Sequence, residues 1–355
     1  LRAALVLVAA TLVACSVEPP AAQAPPGPAP AQASDLRTQL DLLLSEHAIV
    51  IAKESAAALN GSSEYRAYAL LLSTNETALT EVVRRAVGNT SADAFAHAWR
   101  ALNTDVVDYA IRMATHDADK ATADASRLTS DTLPTLAREL AGITMGKPDE
   151  LLVSLNAEMT ALRATIDSAA AHHYAAIYTS LGTSVTASTA LGDRVAAGIA
   201  HRFPDRFPDD PASAEASRRA RLNVLLQQRA YLVTMATDAQ VNGRADEGPE
   251  ALHALAANID LIAADLHDSK ARDLWTGELA SIQLYAKSGD ADSRQALAVF
   301  ANRLVSMTNA TPNAVSNQVD ATVKVIDDQR AKDADNVADD DRAAATAMQP
   351  IADSL

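Results

Sequence analysis

Residues 34–61 read SDLRTQLDLLLSEHAIVIAKESAAALNG. Leu36, Leu40, Leu43, Leu44, His47 and Ile51 recur at the three- and four-residue spacing that puts side chains on one helical face. Ser34 is placed to cap this helix, with Asp35 in its first turn, and Asn60-Gly61 to stop it. The stretch then returns. Leu40, Leu43, Leu44, Ala57, Asn60 and Gly61 have counterparts at Leu222, Leu225, Leu226, Ala239, Asn242 and Gly243, all at one offset. Leu-rich helices match by chance often. Paired Asn-Gly stops in phase do not.

The echo continues downstream. Leu72 and Asn75 match Leu255 and Asn258. The chain's two tryptophans, Trp99 and Trp275, correspond, each followed at the same distance by Tyr-Ala (Tyr109-Ala110 and Tyr285-Ala286). Asp117-Ala118-Asp119 matches Asp290-Ala291-Asp292, and Ile166-Asp167 matches Ile326-Asp327. A period this long is not that of a solenoid. It predicts a tandem duplication in which each copy is a bundle of five or six helices.

Composition agrees. Hydrophobic residues make up 48% of the 355 positions but aromatics only 4%, so Ala and Leu carry the core. That favours close helix packing over sheet. The fold class expected is all-α: two tandem related antiparallel bundles. Further helices are expected over about 63–87, from Ser91, over about 119–143 with Pro134 as a possible kink, from Pro148 to about 171, and over about 174–201.

At the N-terminal end, one basic residue, Arg2, precedes a short apolar run ending Leu12-Val13-Ala14-Cys15. This is the layout of a bacterial lipoprotein signal, too brief to span a bilayer. Cys15, the sole cysteine, is expected to carry the lipid, and acyl chains would hold the protein outside the cytoplasm on a membrane. Residues 16–34, SVEPPAAQAPPGPAPAQAS, read as a partly polyproline-II tether reaching about 50 Å. The expected organisation is 1–14 signal peptide, 15–34 lipidated cysteine and tether, 35–202 first bundle, 203–212 proline-rich linker, 213–355 second bundle. A formal net charge of −15 opposes nucleic-acid binding, which relies on Lys and Arg against phosphate.

Candidate chemistry is sparse. His47 sits on an apolar face, as either a core histidine satisfied by one hydrogen bond or a ligand to metal or haem. The second copy has Arg229 there, and Gln228 in place of Glu46, which points to a polar pocket in each bundle. Arginine is not a metal ligand, so the second copy does not repeat a metal site. Trp99, Tyr109, Trp275 and Tyr285 are core aromatics or the lining of such a pocket. The pocket candidates are therefore Glu46, His47, Trp99, Tyr109, Arg229, Trp275 and Tyr285, with His47 the one metal candidate. The chain lacks the paired Glu-x-x-His motifs of di-iron bundles, a Gly-x-Ser-x-Gly elbow and a phosphate-cradling loop. No catalytic residue is assigned and no cofactor is expected.

At Leu43-Leu44-Ser45-Glu46-His47, Phe95-x-x-x-Trp99-Arg100 and Val107-Asp108-Tyr109-Ala110 the chain resembles a group of secreted or lipid-anchored, all-helical, two-copy bacterial proteins. The resemblance spans most of residues 36–355. Some members carry a copper-amine-oxidase-like label. None of the seven tyrosines here has the Asn-Tyr-Asp/Glu context from which the quinone of such oxidases forms. Where the group tends to have further histidines, this chain has Leu102, Glu158 and Ala187-Ser188. The expected function is a non-catalytic, membrane-anchored binding module of the cell envelope, with an envelope protein or small ligand as partner. The alternatives are a metal- or haem-binding redox bundle using His47, and a structural spacer.

Overall fold

The computed structural model describes residues 32–355. The signal segment, Cys15 and most of the tether fall outside them. The described residues are helical and carry no strand. The first half runs α1 (Ala33–Leu59), α2 (Tyr65–Val87), α3 (Asn89–Ala114), α4 (Ala118–Arg127), α5 (Leu133–Thr144), α6 (Pro148–Ala170) and α7 (Tyr174–Arg202). The second runs α8 (Ala214–Val241), α9 (Gly248–Leu266), α10 (Ser269–Ser288), α11 (Ala291–Met307), α12 (Pro312–Ala331), α13 (Val337–Thr346) and the short α14 (Gln349–Ala352).

Two local expectations need correction. The helix expected over about 119–143 is split into α4 and α5 by a π-helical turn at Leu128–Thr132. Pro134 lacks an amide, and its ring would strike the carbonyl one turn back, so the widened turn just before it relieves that clash. Ser34 does not cap α1. The helix starts at Ala33, and the amides of Ala33 and Ser34 donate to the Asp209 carboxylate. A side chain from the distant linker satisfies the orphan donors of the first turn. Burial and those amide bonds pull the Asp209 carboxyl in opposite directions, and the bonds win, holding it below its usual range.

The turns behave as the sequence suggests. Gly61 and Gly243 both adopt positive φ, +60° and +69°, directly after Leu59–Asn60 and Val241–Asn242. A residue with a Cβ would be strained there.

Packing follows one plan twice. α1 contacts α2, α3, α6 and α7; α8 contacts α9, α10, α12, α13 and α14. α1 and α8 also pack on each other in the middle of the molecule. α7 touches α9, and reciprocally α13 touches α2. Each apolar core draws on both halves. Val325, Val337, Ala338 and Ala344 join the core around Trp99. Ala48, Ile49, Ala52, Tyr178, Leu181 and Val185 join the core around Trp275. This central position explains a departure from the one-faced helix read in residues 34–61. Asp41, Ser45, Glu46, Lys53, Glu54 and Ser55 of α1 are buried along with its leucines, because α2, α3, α6, α7 and α8 together surround the helix.

Candidate functional site

In the first half, His47 lies wholly inside, its ring 4.7 Å from the Trp99 ring. Its Nε2 is 2.8 Å from Asn103 Oδ1, and Asn103 Nδ2 in turn faces Glu76 Oε2 at 3.3 Å. An amide whose nitrogen donates to Glu76 presents its oxygen to the imidazole, so Nε2 carries the proton. His47 Nδ1 has no hydrogen-bond partner and looks across 3.8 Å to Glu158 Oε1. Ser188 Oγ donates to that oxygen at 2.8 Å, while Glu158 Oε2, Ser184 Oγ and Trp99 Nε1 have no partner. Leu102, Glu158 and Ser188, remote in sequence, come from α3, α6 and α7 into the same region of the core as His47.

The second half fills the same frame differently. Arg229 stands 4.7 Å over the Trp275 ring, as His47 does over Trp99. Its guanidinium donates to the Glu278 carboxylate and, at 3.4 Å, to the Trp275 carbonyl. Both charges are buried. Burial pushes the Glu278 carboxyl above its usual range, and Arg229 offsets that rise only in part. A buried charge survives only when paired in this way.

The remaining sequence candidates serve other purposes. Tyr109 donates to Asp167 and Tyr285 to Asp327, the same bond in each half. Tyr109 sits about 15 Å along α3 from Trp99 and is part of a rim contact. Glu46 turns away from the His47 centre into the seam. Its carboxylate accepts from Tyr231 Oη at 2.9 Å and Asn75 Nδ2 at 2.8 Å, and pairs with Arg342 at 3.1 Å. About two turns further along α1, Lys53 pairs with Asp341 and donates to Thr234 Oγ1 at 3.0 Å. Tyr68 Oη donates to the same Asp341 at 2.7 Å. So α1 and α2 are tied to α8 and α13 by buried polar groups. Sequence reasoning missed Lys53, Tyr231 and Asp341; the one signal was a lysine breaking the apolar run of α1.

Beyond Lys53 the seam opens into a cleft of about 300 Å³. Its walls are the last turns of α1, α6, α8 and α12 and the entries to α2 and α7. Its polar lining includes Lys53, Glu64, Asp238, Arg244, Glu247 and Lys332, with Ser55, Tyr68 and His172. Arg244 pairs with both Asp238 and Glu247. The cleft lies at the opposite end of α1 from Ala33, where the chain enters, so a helix of 27 residues, about 40 Å, separates the two.

Metal-binding geometry is thin. Among the described residues no three His, Cys, Asp or Glu side chains gather to hold an ion. The chain's one Glu-x-x-His, Glu250 to His253, lies on α9 with His253 exposed. No helix among the described residues is long and apolar enough to cross a membrane.

No family model matches the chain, and neither a curated protein nor a solved structure matches it. The fold and the site therefore define a class only: an all-helical protein with a buried polar centre in each half and an open cleft at the seam.

Proposed function

We propose that this is a non-catalytic binding protein of the bacterial envelope, held to a membrane by lipid on Cys15. It receives a small ligand, or a projecting group of a partner protein, in the seam cleft. The cleft carries this reading: it is a concave site with a mixed apolar and polar lining, built jointly by both halves. The two-copy lipoprotein group resembled by Leu43–His47 and Phe95–Arg100 supports the envelope setting. With the tether joining at the start of α1, the cleft lies at the end of that helix remote from it.

Capture from solubilised membranes tests the reading. Wild-type protein retains a specific ligand or partner, and Ala56→Trp, which fills the cleft, loses it. Equal capture by both would contradict it. Cys15→Ser should release the protein from the membrane fraction into the extracytoplasmic fluid.

A second reading, a metal or haem held at His47, rests on the unpartnered Nδ1 facing Glu158. Metal analysis and an absorbance spectrum of the purified protein, with His47→Ala beside it, decide it. A bound species absent from the variant supports this reading, and no bound species removes it.

A further inference from the structure

The charges around the seam cleft are unevenly paired. Four carboxylates meet there: Glu64, Asp238 and Glu247 in the lining, and Asp341 behind Tyr68. Two cations answer them inside. Lys53 is committed to Asp341, and Arg244 is shared between Asp238 and Glu247, at 2.7 Å to the latter. Lys332 stands exposed at the rim. Glu64 is left without an ion pair among the described residues. Burial, with Asp238 next, raises its carboxyl above the usual range.

Two further observations point to an occupant. Ser55 is buried to 2% exposure and lines the cleft, yet its hydroxyl has no partner. The cleft also already houses one ammonium. Lys53 Nζ sits 5.1 Å from the centre of the Tyr68 ring beside a carboxylate, which is how proteins hold amines. Next to it is an acidic position with no cation of its own.

From this geometry we infer that the cleft takes a small organic cation, its ammonium or guanidinium group seated against Glu64 and Asp238. The inference rests on the cleft being the binding site and adds the class of ligand. The apolar walls of Ala52, Ala56, Ile166 and Met235 suit a short aliphatic stem behind the charged head. Glu64 supplies the compensating charge and Ser55 Oγ accepts a hydrogen bond. An anionic ligand would instead be pressed against the Glu64 and Asp238 carboxyls, with Lys53 and Arg244 already engaged by Asp341, Asp238 and Glu247.

Titration calorimetry on the detergent-solubilised full chain, at low salt, tests this with 1,4-diaminobutane and agmatine as probes and succinate as the anionic control. One diamine or one agmatine should bind per chain, and succinate should give no saturable heat. Glu64→Gln should weaken the amine at least tenfold and Ala56→Trp should abolish binding. Glu215→Gln, an exposed acid at the start of α8, should change nothing. Amine binding unaffected by Glu64→Gln, or no saturable amine binding, overturns the inference. Succinate binding that Ala56→Trp abolishes would overturn the ligand class while leaving the cleft as the binding site. Glu64→Gln breaks no ion pair at a partly exposed position, and circular dichroism of each variant verifies its fold.

Discussion

The buried centres at Trp99 and Trp275 share a frame and differ in their charge. In each, a polar side chain of the central helix lies 4.7 Å from a tryptophan ring, and a tyrosine further along donates to an aspartate. At Trp275 the polar group is a guanidinium locked to Glu278. At Trp99 it is an imidazole with one nitrogen bonded and the other facing a carboxylate across 3.8 Å. One packing plan thus accommodates a closed ion pair and an open imidazole–carboxylate contact. The same contrast recurs near the start of each central helix. Asn223 donates to Asp353 at 3.0 Å, whereas Asp41 meets Asp193 as a second carboxyl. Arg219 and Arg37 pair with those aspartates in the same way.

The contrast breaks most visibly at Arg229. Arg229→Met should destabilise the protein by about 3–5 kcal/mol in urea unfolding, because Glu278 is left buried without a partner. Adding Glu278→Leu should restore most of the loss. Should the double variant remain as unstable as the single, the pair is not what holds that centre together. His47→Leu should cost less, about 1–3 kcal/mol, since it orphans only the Asn103 oxygen.

Asp41 gives a pH signature that Asn223 lacks. Burial, then Asp193, pushes the Asp41 carboxyl up from 3.8 to about 8. The folded protein therefore keeps a proton that the unfolded chain releases above about pH 4. Its contribution is fully present below the unfolded value and is lost as pH rises toward 8. Glu54, raised by burial to about 7, acts with the same sign. Asp41→Asn, which copies the second half, should raise stability at pH 8 by about 2–4 kcal/mol and flatten the decline between pH 4 and 8. An unchanged slope in denaturation curves across that range would refute the assignment.

The helix starts give the smallest contrast. Ser213 caps α8 through Ala216 N, while α1 borrows Asp209. Ser213→Ala should cost about 1 kcal/mol. Ser34→Ala should fall within about 0.5 kcal/mol of wild type. Matching losses would restore Ser34 as a cap.

The all-α class was legible because apolar spacing and Asn-Gly stops are local signals. The partnership of His47 with Trp99, and of Arg229 with Trp275, was legible as two polar residues at one repeated apolar spot. The seam was not. Lys53, Glu54 and Ser55 give no local signal of burial, and only the packing of neighbouring helices all around α1 takes them out of solvent. Asp209 as the cap of α1 is likewise a contact across most of the first half, which spacing alone does not reveal. Glu158 and Ser188 stand out only through the resemblance, and their approach to His47 comes from the way α6 and α7 fold against α1.

The account turns on the seam being a structural unit, since the cleft exists only where the halves are locked together. Two variants, Trp99→Phe and Trp275→Phe, each leave one tryptophan to report on one half. Urea unfolding followed by that fluorescence should coincide with unfolding followed by far-ultraviolet circular dichroism in both variants, as one cooperative transition. Two separated midpoints, with one half melting while the other stays folded, would contradict it.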